Sequence, residues 1–208
     1  MKSKLCIWIL GGSGVGKTSL AANIHQAIAD ITGEKVKPLI VGWGEKEKEF
    51  VFTRMSKYSS NLGTFGKTAC GGTDSLSTKD RISKSYLEAI KFTPVVVIEG
   101  IMATMTWENW IREPQNTKLF LIHIEISPEE NFKRLRNRRA IKQNIKPEDV
   151  VLQLKTLDNL RGKLNGFRRM YEKLKSNSDY NIQLRSDVLS QERSAEIIKQ
   201  YMLDHIFS

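Results

Sequence analysis

Residues 7–18 read Ile-Trp-Ile-Leu-Gly-Gly-Ser-Gly-Val-Gly-Lys-Thr, an apolar run that passes directly into Gly11-x-x-x-x-Gly16-Lys17-Thr18. Each part of this string demands its own local structure. The apolar run needs a buried strand. The glycines allow a turn whose backbone N–H groups converge on one point, and the helix that begins near Lys17 aims its positive dipole end at the same point. Such a turn fits the α- and β-phosphates of a nucleotide. Gly11, Gly12, Ser13, Gly14, Val15, Gly16, Lys17, Thr18 and Ser19 are therefore the expected nucleotide-binding residues. Lys17 can reach the β/γ oxygens, and the Thr18 hydroxyl can complete the shell of a Mg²⁺ ion. A nucleoside triphosphate with its magnesium is the implied ligand.

The rest of the chain alternates strand and helix. After the strand at 5–10, a helix from 18 to about 31 puts Leu20, Ile24, Ala27, Ile28 and Ile31 on one side, and Gly33 closes it. Residues 36–41 read as a second strand and 50–55, after the charged run 45–49, as a short helix. Periodicity then disappears over 56–77. The part from Asn61 to Ser77 holds four glycines and many hydroxyls, and loops of that length inside a domain are usually functional or disordered. A helix over 78–91 and a break at Phe92-Thr93-Pro94 precede Val95-Val96-Val97-Ile98-Glu99, an unbroken apolar run suited to a central parallel strand. A helical turn at 106–112 and a strand at 119–126 follow. Ser127, Pro128 and Glu130 supply the cap, first and third positions of a helix that carries the arginines through Arg139. Beyond a linker at 142–146, Pro147 opens a long helical stretch that Gly162 and Gly166 are placed to bend or break. A strand at 180–184 and a helix at 190–206 complete the pattern. The expected architecture is α/β: one three-layer domain over 1–208 with a mostly parallel central sheet and its ligand beyond the C-terminal strand ends. Within it, 56–77 would be the substrate loop and 128–175 an arginine-bearing helical lid and basic region.

Charge narrows the partners. The chain has 33 basic and 23 acidic residues, a net of +10, and residues 133–175 hold fourteen Lys or Arg against four acids. The whole excess thus sits in one contiguous fifth of the chain. Such a field attracts a polyanion without naming it; the alternative is that some arginines serve the bound triphosphate and the rest are solvated. Cys6 and Cys70 are too few for a disulfide framework or a metal site. The N-terminal apolar run ends in the glycine turn rather than in a cleavage site, and no stretch has the length of a membrane span. Cytoplasmic location and no membrane partner are the expectations.

Candidate chemistry lies at the strand ends. Glu99 can hold Mg²⁺ or accept the proton of an attacking hydroxyl, unless it only satisfies the glycine turn's backbone. Arg134 and Arg138, four apart, share a helix face, and their donor forks suit the charge on a transferred phosphoryl group. Arg136 and Arg139 are the other members of that cluster. Asp74, in Gly71-Gly72-Thr73-Asp74-Ser75, is a candidate base or merely a helix cap. Thr73 lies beside it. Arg54, Lys57, Lys67 and Arg81 flank the loop and can bind a substrate phosphate, or be ordinary surface charge. Tyr58, Phe65 and Trp107 can stack on a base or pack in a core or lid. Lys17, Asp74, Glu99, Arg134 and Arg138 form the expected catalytic set, Thr18 and Glu99 the metal ligands, and Arg54, Lys67, Thr73, Asp74 and Arg81 the acceptor contacts.

These residues together resemble the P-loop kinases of small metabolites and nucleotides, which bind ATP–Mg on the loop matched by 11–18. The resemblance implies an acid at a central strand end, here Glu99, and a lid matched by Arg134-x-x-x-Arg138. The glycine-rich segment with Gly72-Thr73-Asp74-Ser75-Leu76, taken with the basicity, is similar to the bacteriophage kinases that phosphorylate 5-hydroxymethyluracil within DNA. That narrower resemblance implies a hydroxymethylated pyrimidine in double- or single-stranded DNA as acceptor, turned out of the helix. Basic residues between Arg161 and Lys175 would then track phosphates. A free nucleoside or nucleotide as acceptor, and an NTPase acting on nucleic acid, are the competing readings. A monomer and a homodimer both fit.

Overall fold

The computed structural model describes residues 4–42, 50–65, 72–73, 76, 78–99, 116–152 and 157–207. Every residue of β1 (Leu5–Leu10) is buried, as a strand covered on both faces requires. It lies inside a seven-stranded sheet ordered β2-β3-β4-β5-β1-β6-β7. Its neighbours are β5 (Val95–Glu99) and β6 (Lys118–Glu125), both parallel to it, and β7 (Tyr180–Arg185) extends the parallel set beyond β6. On the other side β4 (Ser59–Leu62) pairs parallel with β5, whereas β3 (Phe52–Arg54) and β2 (Leu39–Val41) add antiparallel pairs at the edge. The sheet is mixed and mostly parallel, as expected for the α/β class.

Alternate side chains of the strands feed two cores. Leu5, Ile7, Ile9, Val95, Val97, Phe120 and Ile122 pack under α1 (Lys17–Thr32) and α5 (Gln191–His205), through Ile24, Ile28, Ile198 and Met202. Cys6, Trp8, Leu10, Val96, Ile98, Leu119 and Leu121 face α2 (Lys79–Phe92) and α4 (Leu157–Lys175), through Ile82, Tyr86, Tyr171 and Leu174. Cys6 is a buried free thiol whose pKa burial pushes well up, so it acts as a small core residue. Between β6 and α4 runs α3 (Pro128–Gln143), started by the Ser127 side chain, which accepts from Glu130 N–H, and by Pro128 in its first turn.

Four expectations are corrected. Residues 50–55 are not a short helix: Phe52–Arg54 is a strand, with Phe52 and Thr53 fully buried. The aperiodic stretch 56–77 is not all loop, because Ser59–Leu62 is an interior strand. It shows no apolar alternation because hydrogen bonds satisfy its polar side chains in place of apolar packing. Asn61 Oδ1 accepts from His25 Nε2 (3.3 Å), which leaves Nδ1 to accept from the Ser59 hydroxyl (3.0 Å), and Thr93 donates to Ser60 Oγ (2.9 Å). Pro147 opens only a 3-10 turn, Pro147–Asp149, after which Val150, Val151 and Leu152 are not helical; the described helix is Leu157–Lys175. Gly162 and Gly166 do not interrupt α4. Among the described residues no helix is long and apolar enough to cross a membrane.

Candidate functional site

The chain leaves β1 through Gly11, Gly12, Ser13, Gly14, Val15 and Gly16 and enters α1 at Lys17. Val15 is buried and anchors the loop from below, while Ser19 is half-buried in the first turn of α1. A side chain at Gly11 would meet Val15 Cγ2 at 2.8 Å and the Ile124 carbonyl at 3.0 Å, so only glycine lets the loop lie against β6. Gly16 caps α1 with φ 101° and no side-chain hydrogen bond, and the first turn contains no acid. The helix thus keeps its positive end uncompensated by any carboxylate in its first turn. Lys17 is buried and donates Nζ to the carbonyls of Gly11 (3.0 Å) and Gly12 (2.7 Å), which holds its charge over the loop.

Thr18 and Glu99, 81 residues apart in the chain, meet in the structure: Thr18 Oγ1 donates to Glu99 Oε2 at 3.0 Å. Glu99 ends β5 and is 3% exposed. Two described residues of the expected acceptor loop, Gly72 and Thr73, meet the same residue. Gly72 N–H donates to Thr64 O (2.9 Å), closing the base of the loop, and Thr73 Oγ1 donates to Glu99 O (3.0 Å). Gly72 has φ +59°, and a Cβ there would overlap Glu99 O and stand 2.8 Å from its Oε1. Glycine is required here for close approach as well as for conformation. Arg81, in the first turn of α2, follows the same loop.

The remaining candidates divide. Asp74 and Lys67, with Gly71, Ser75, Cys70, Trp107 and the turn at 106–112, lie outside the described residues. Arg54 is placed differently from the expectation. It ends antiparallel β3 opposite Ser60, which pairs with Val96, three residues and about 10 Å before Glu99. Its Nε donates to Ser56 O (3.3 Å), and Lys57 pairs with Glu34 (3.0 Å). Both, with Tyr58, lie toward the end of the strands opposite Glu99. Phe65 packs edge-on to His25 (5.8 Å).

On α3, Arg134 does not share a target with Arg138. Its guanidinium donates to Ser186 O (2.6 Å), Ser186 Oγ (3.3 Å) and Glu130 Oε1 (3.1 Å), which ties α3 to the loop after β7. Arg185 grips Asp187 (3.0 Å), and Asp187 accepts from Ser127 N–H (3.0 Å), reinforcing that tie; the Arg185 bond holds the Asp187 carboxyl below its usual range. Arg138 and Arg139 are exposed, and Arg136 donates to Pro147 O (3.0 Å). Arg138 lies two turns, about 10 Å, beyond Asn131 on nearly the same helical face, and Asn131 makes a hydrogen bond to the loop, at Ser13 O (2.8 Å). Sequence reasoning misses Asn131, because an asparagine among arginines on a capped helix carries no motif.

Beside Leu164, which would touch a Cβ on Gly12, a cavity of about 210 Å³ opens at the ends of β6 and β7. Arg161, Arg168 and Arg185 wall it, held respectively by Asp158 (3.2 Å), Glu125 (3.6 Å) and Asp187. His123, also in its lining, has a lowered pKa, chiefly through burial. The donor set at Thr18 and Glu99 is all oxygen, which suits Mg²⁺ rather than a softer ion. Among the described residues no three His, Cys, Asp or Glu side chains cluster as a protein-only metal site. A magnesium ion here would draw its other ligands from phosphate and water.

No family model matches the chain, and no curated protein does. Among solved structures it is similar to the YorR protein of Bacillus subtilis in complex with phosphorylated GDP, at 14% identity and a TM-score of 0.43, over 96% of this chain and 97% of that one. It is similar to shikimate kinase from Bacteroides thetaiotaomicron, at 17% identity and a TM-score of 0.45, over 95% and 98%. A chain of the PezAT toxin–antitoxin system of Streptococcus pneumoniae gives 14% identity and a TM-score of 0.41, over 98% and 85%. At these values the likenesses carry no functional argument. The P-loop kinase-like architecture is read from the glycine turn between β1 and α1 and from the sheet order around it.

Proposed function

We propose that the chain is an ATP–Mg-dependent phosphotransferase whose acceptor is a hydroxyl group. The observation that carries this is the meeting of the phosphate loop, Glu99 and the Gly72–Thr73 segment of the acceptor loop at one place, through the Thr18–Glu99 and Thr73–Glu99 hydrogen bonds. A switch that only hydrolyses nucleotide has less use for a second loop fastened onto the acid. In the proposed step the acceptor oxygen forms a bond to the γ-phosphorus and the bond to the β,γ-bridging oxygen breaks, releasing ADP. The acceptor proton passes to Asp74 or Glu99. Lys17 and the loop N–H groups stabilise charge on the β/γ oxygens, and Arg138 approaches from α3 while Arg134 holds that helix in place. Thr18 and Glu99 would hold a magnesium ion, which would supply positive charge to the phosphate oxygens. Arg81, Thr73 and Lys67 are the proposed acceptor contacts.

For the acceptor we favour the 5-hydroxymethyl group of hydroxymethyluracil in DNA, a base-hypermodification step. The support is the segregation of the entire +10 charge into residues 133–175 and the loop resemblance. A free nucleoside or nucleotide is the second reading, favoured by the acidic partners that Arg161, Arg168 and Lys175 of the basic part already have in Asp158, Glu125 and Glu172. Labelled ATP offered in parallel with hydroxymethylated DNA, unmodified DNA and free nucleotides tests both. Label on the hydroxymethylated DNA alone supports the first, label on free nucleotide the second, and release only as inorganic phosphate contradicts both.

A further inference from the structure

Helix α3 touches the phosphate loop through two neighbouring side chains. Asn131, 1% exposed, donates Nδ2 to Ser13 O at 2.8 Å, and Leu135, one turn on, lies 3.0 Å from where a Cβ on Gly14 would stand. Only the NH₂ side of a carboxamide can donate to a carbonyl, so the amide's orientation follows from chemistry. Its Oδ1 is buried and has no hydrogen-bond partner among the described residues. A half-satisfied buried amide is a poor way to fill space, and an apolar side chain would fill it at less cost. The bond to Ser13, rather than the volume, therefore distinguishes asparagine at this position.

Ser13 and Gly14 share one planar trans peptide, in which C=O and N–H point in opposite directions. Holding Ser13 O against α3 turns Gly14 N–H away from α3. Gly14 has φ +83°, and a glycine resists rotation of its peptide little, so residue 14 does not hold that orientation by itself. We propose that Asn131 is a positioning residue for phosphate binding, locking the 13–14 peptide so that the Gly14 amide, and not the Ser13 carbonyl, faces the bound phosphates. A carbonyl turned inward would both remove a donor and repel phosphate oxygens. The same bond ties the loop to the helix that carries Arg138. This inference rests on the phosphate-loop part of the proposed function and is independent of the acceptor.

The test is calorimetric titration of MgADP, and separately of inorganic pyrophosphate, into the full chain and its Asn131→Leu, Asn131→Asp and Leu135→Ala variants, each with its melting temperature. Leucine keeps the branching of asparagine but has no donor; aspartate keeps the shape and adds repulsion. Both are expected to weaken binding of each probe by about tenfold or more, and the Gly14 amide resonance is expected to shift on MgADP addition to the wild type and to stay unmoved in the two variants. Leu135→Ala is expected to lower the melting temperature with affinity within about twofold, since it removes packing on Gly14 and no hydrogen bond. Should leucine or aspartate at 131 melt at room temperature, the other carries the test. Affinities within about twofold of wild type in the folded Asn131 variants, or losses no larger than that of Leu135→Ala, overturn the inference alone. A wild type that binds neither probe overturns it together with the proposed function.

Discussion

Lys17, Gly72 and His25 show how single residues set the limits of this fold. Lys17 places its ammonium on two loop carbonyls at the loop's inner edge. Lys17→Ala is expected to cut kcat/KM for MgATP by on the order of 10²- to 10³-fold, the usual loss when a charge-stabilising donor is removed. Its melting temperature should stay within a few degrees of wild type, since no core packing is lost. Gly72→Ala forces a Cβ into the Glu99 carbonyl. The loop or the carboxylate must move, so MgATP affinity and stability should both fall, the latter by about 1–3 kcal/mol, measured by titration and thermal melting. His25 is fully buried and neutral, with burial lowering its pKa to about 4 and the Asn61 hydrogen bond partly opposing that shift. Its ordinary value is 6.5, so the unfolded chain takes up the proton first. The stability it permits is fully present above pH 6.5 and declines as pH falls from there to about 4, by about 3 kcal/mol in all. Urea unfolding between about pH 7 and pH 4.5 should show that loss, and His25→Gln should remove most of the slope; an unchanged slope contradicts it.

At the scale of elements, α4 runs straight through two glycines whose added Cβ would meet nothing within 4 Å. Gly162→Ala and Gly166→Ala should therefore each stabilise the protein by about 0.5–1 kcal/mol, the ordinary helix preference for alanine, seen as a higher melting temperature. A drop at either position would mean that something covers that face. The same elements show what is legible in the sequence. β1 and β5 stand out as apolar runs and β6 as one interrupted only by His123, and α1, α2, α3 and α5 through apolar spacing, caps or Gly33. β3 and β4 do not. β3 is three residues long, and β4 reads Ser-Ser-Asn-Leu, its burial made possible by His25 and Thr93 from elsewhere in the chain. No local pattern can announce a strand whose stability comes from a partner 34 residues away. The site divides in the same way. The glycine turn is a contiguous string and is readable whole, and Glu99, which accepts from Thr18 in the structure, stands out by its place at a strand end. Arg54 is misplaced by sequence reasoning because a short antiparallel strand there has the look of a helix. Arg134 resembles a phosphate ligand because its true partner, Ser186, lies 52 residues on and is visible only once β6 and β7 pair.

Across the whole molecule, charge and chemistry are divided between parts of the chain. The glycine turn and the acid come from residues 11–18 and 99, while 133–175 holds the net +10. The two parts meet where α3 rests on Ser13 and Gly14. If the basic part guides a polynucleotide to the acceptor loop, affinity for a short DNA duplex should fall steeply with salt. The slope of log K against log salt would be about −0.9 for each phosphate neutralised, measured by fluorescence anisotropy, and a flat response would favour a free nucleotide. The central claim is that a triphosphate bound at residues 11–18 gives its terminal phosphoryl group to an alcohol held beside Glu99. Single-turnover transfer from γ-labelled ATP, run with hydroxymethylated acceptors and with Lys17→Ala alongside wild type, tests it most directly. The predicted result is acid-stable label on the acceptor with wild type and almost none with Lys17→Ala. Equal transfer by both proteins, or label recovered from wild type only as inorganic phosphate, would contradict it.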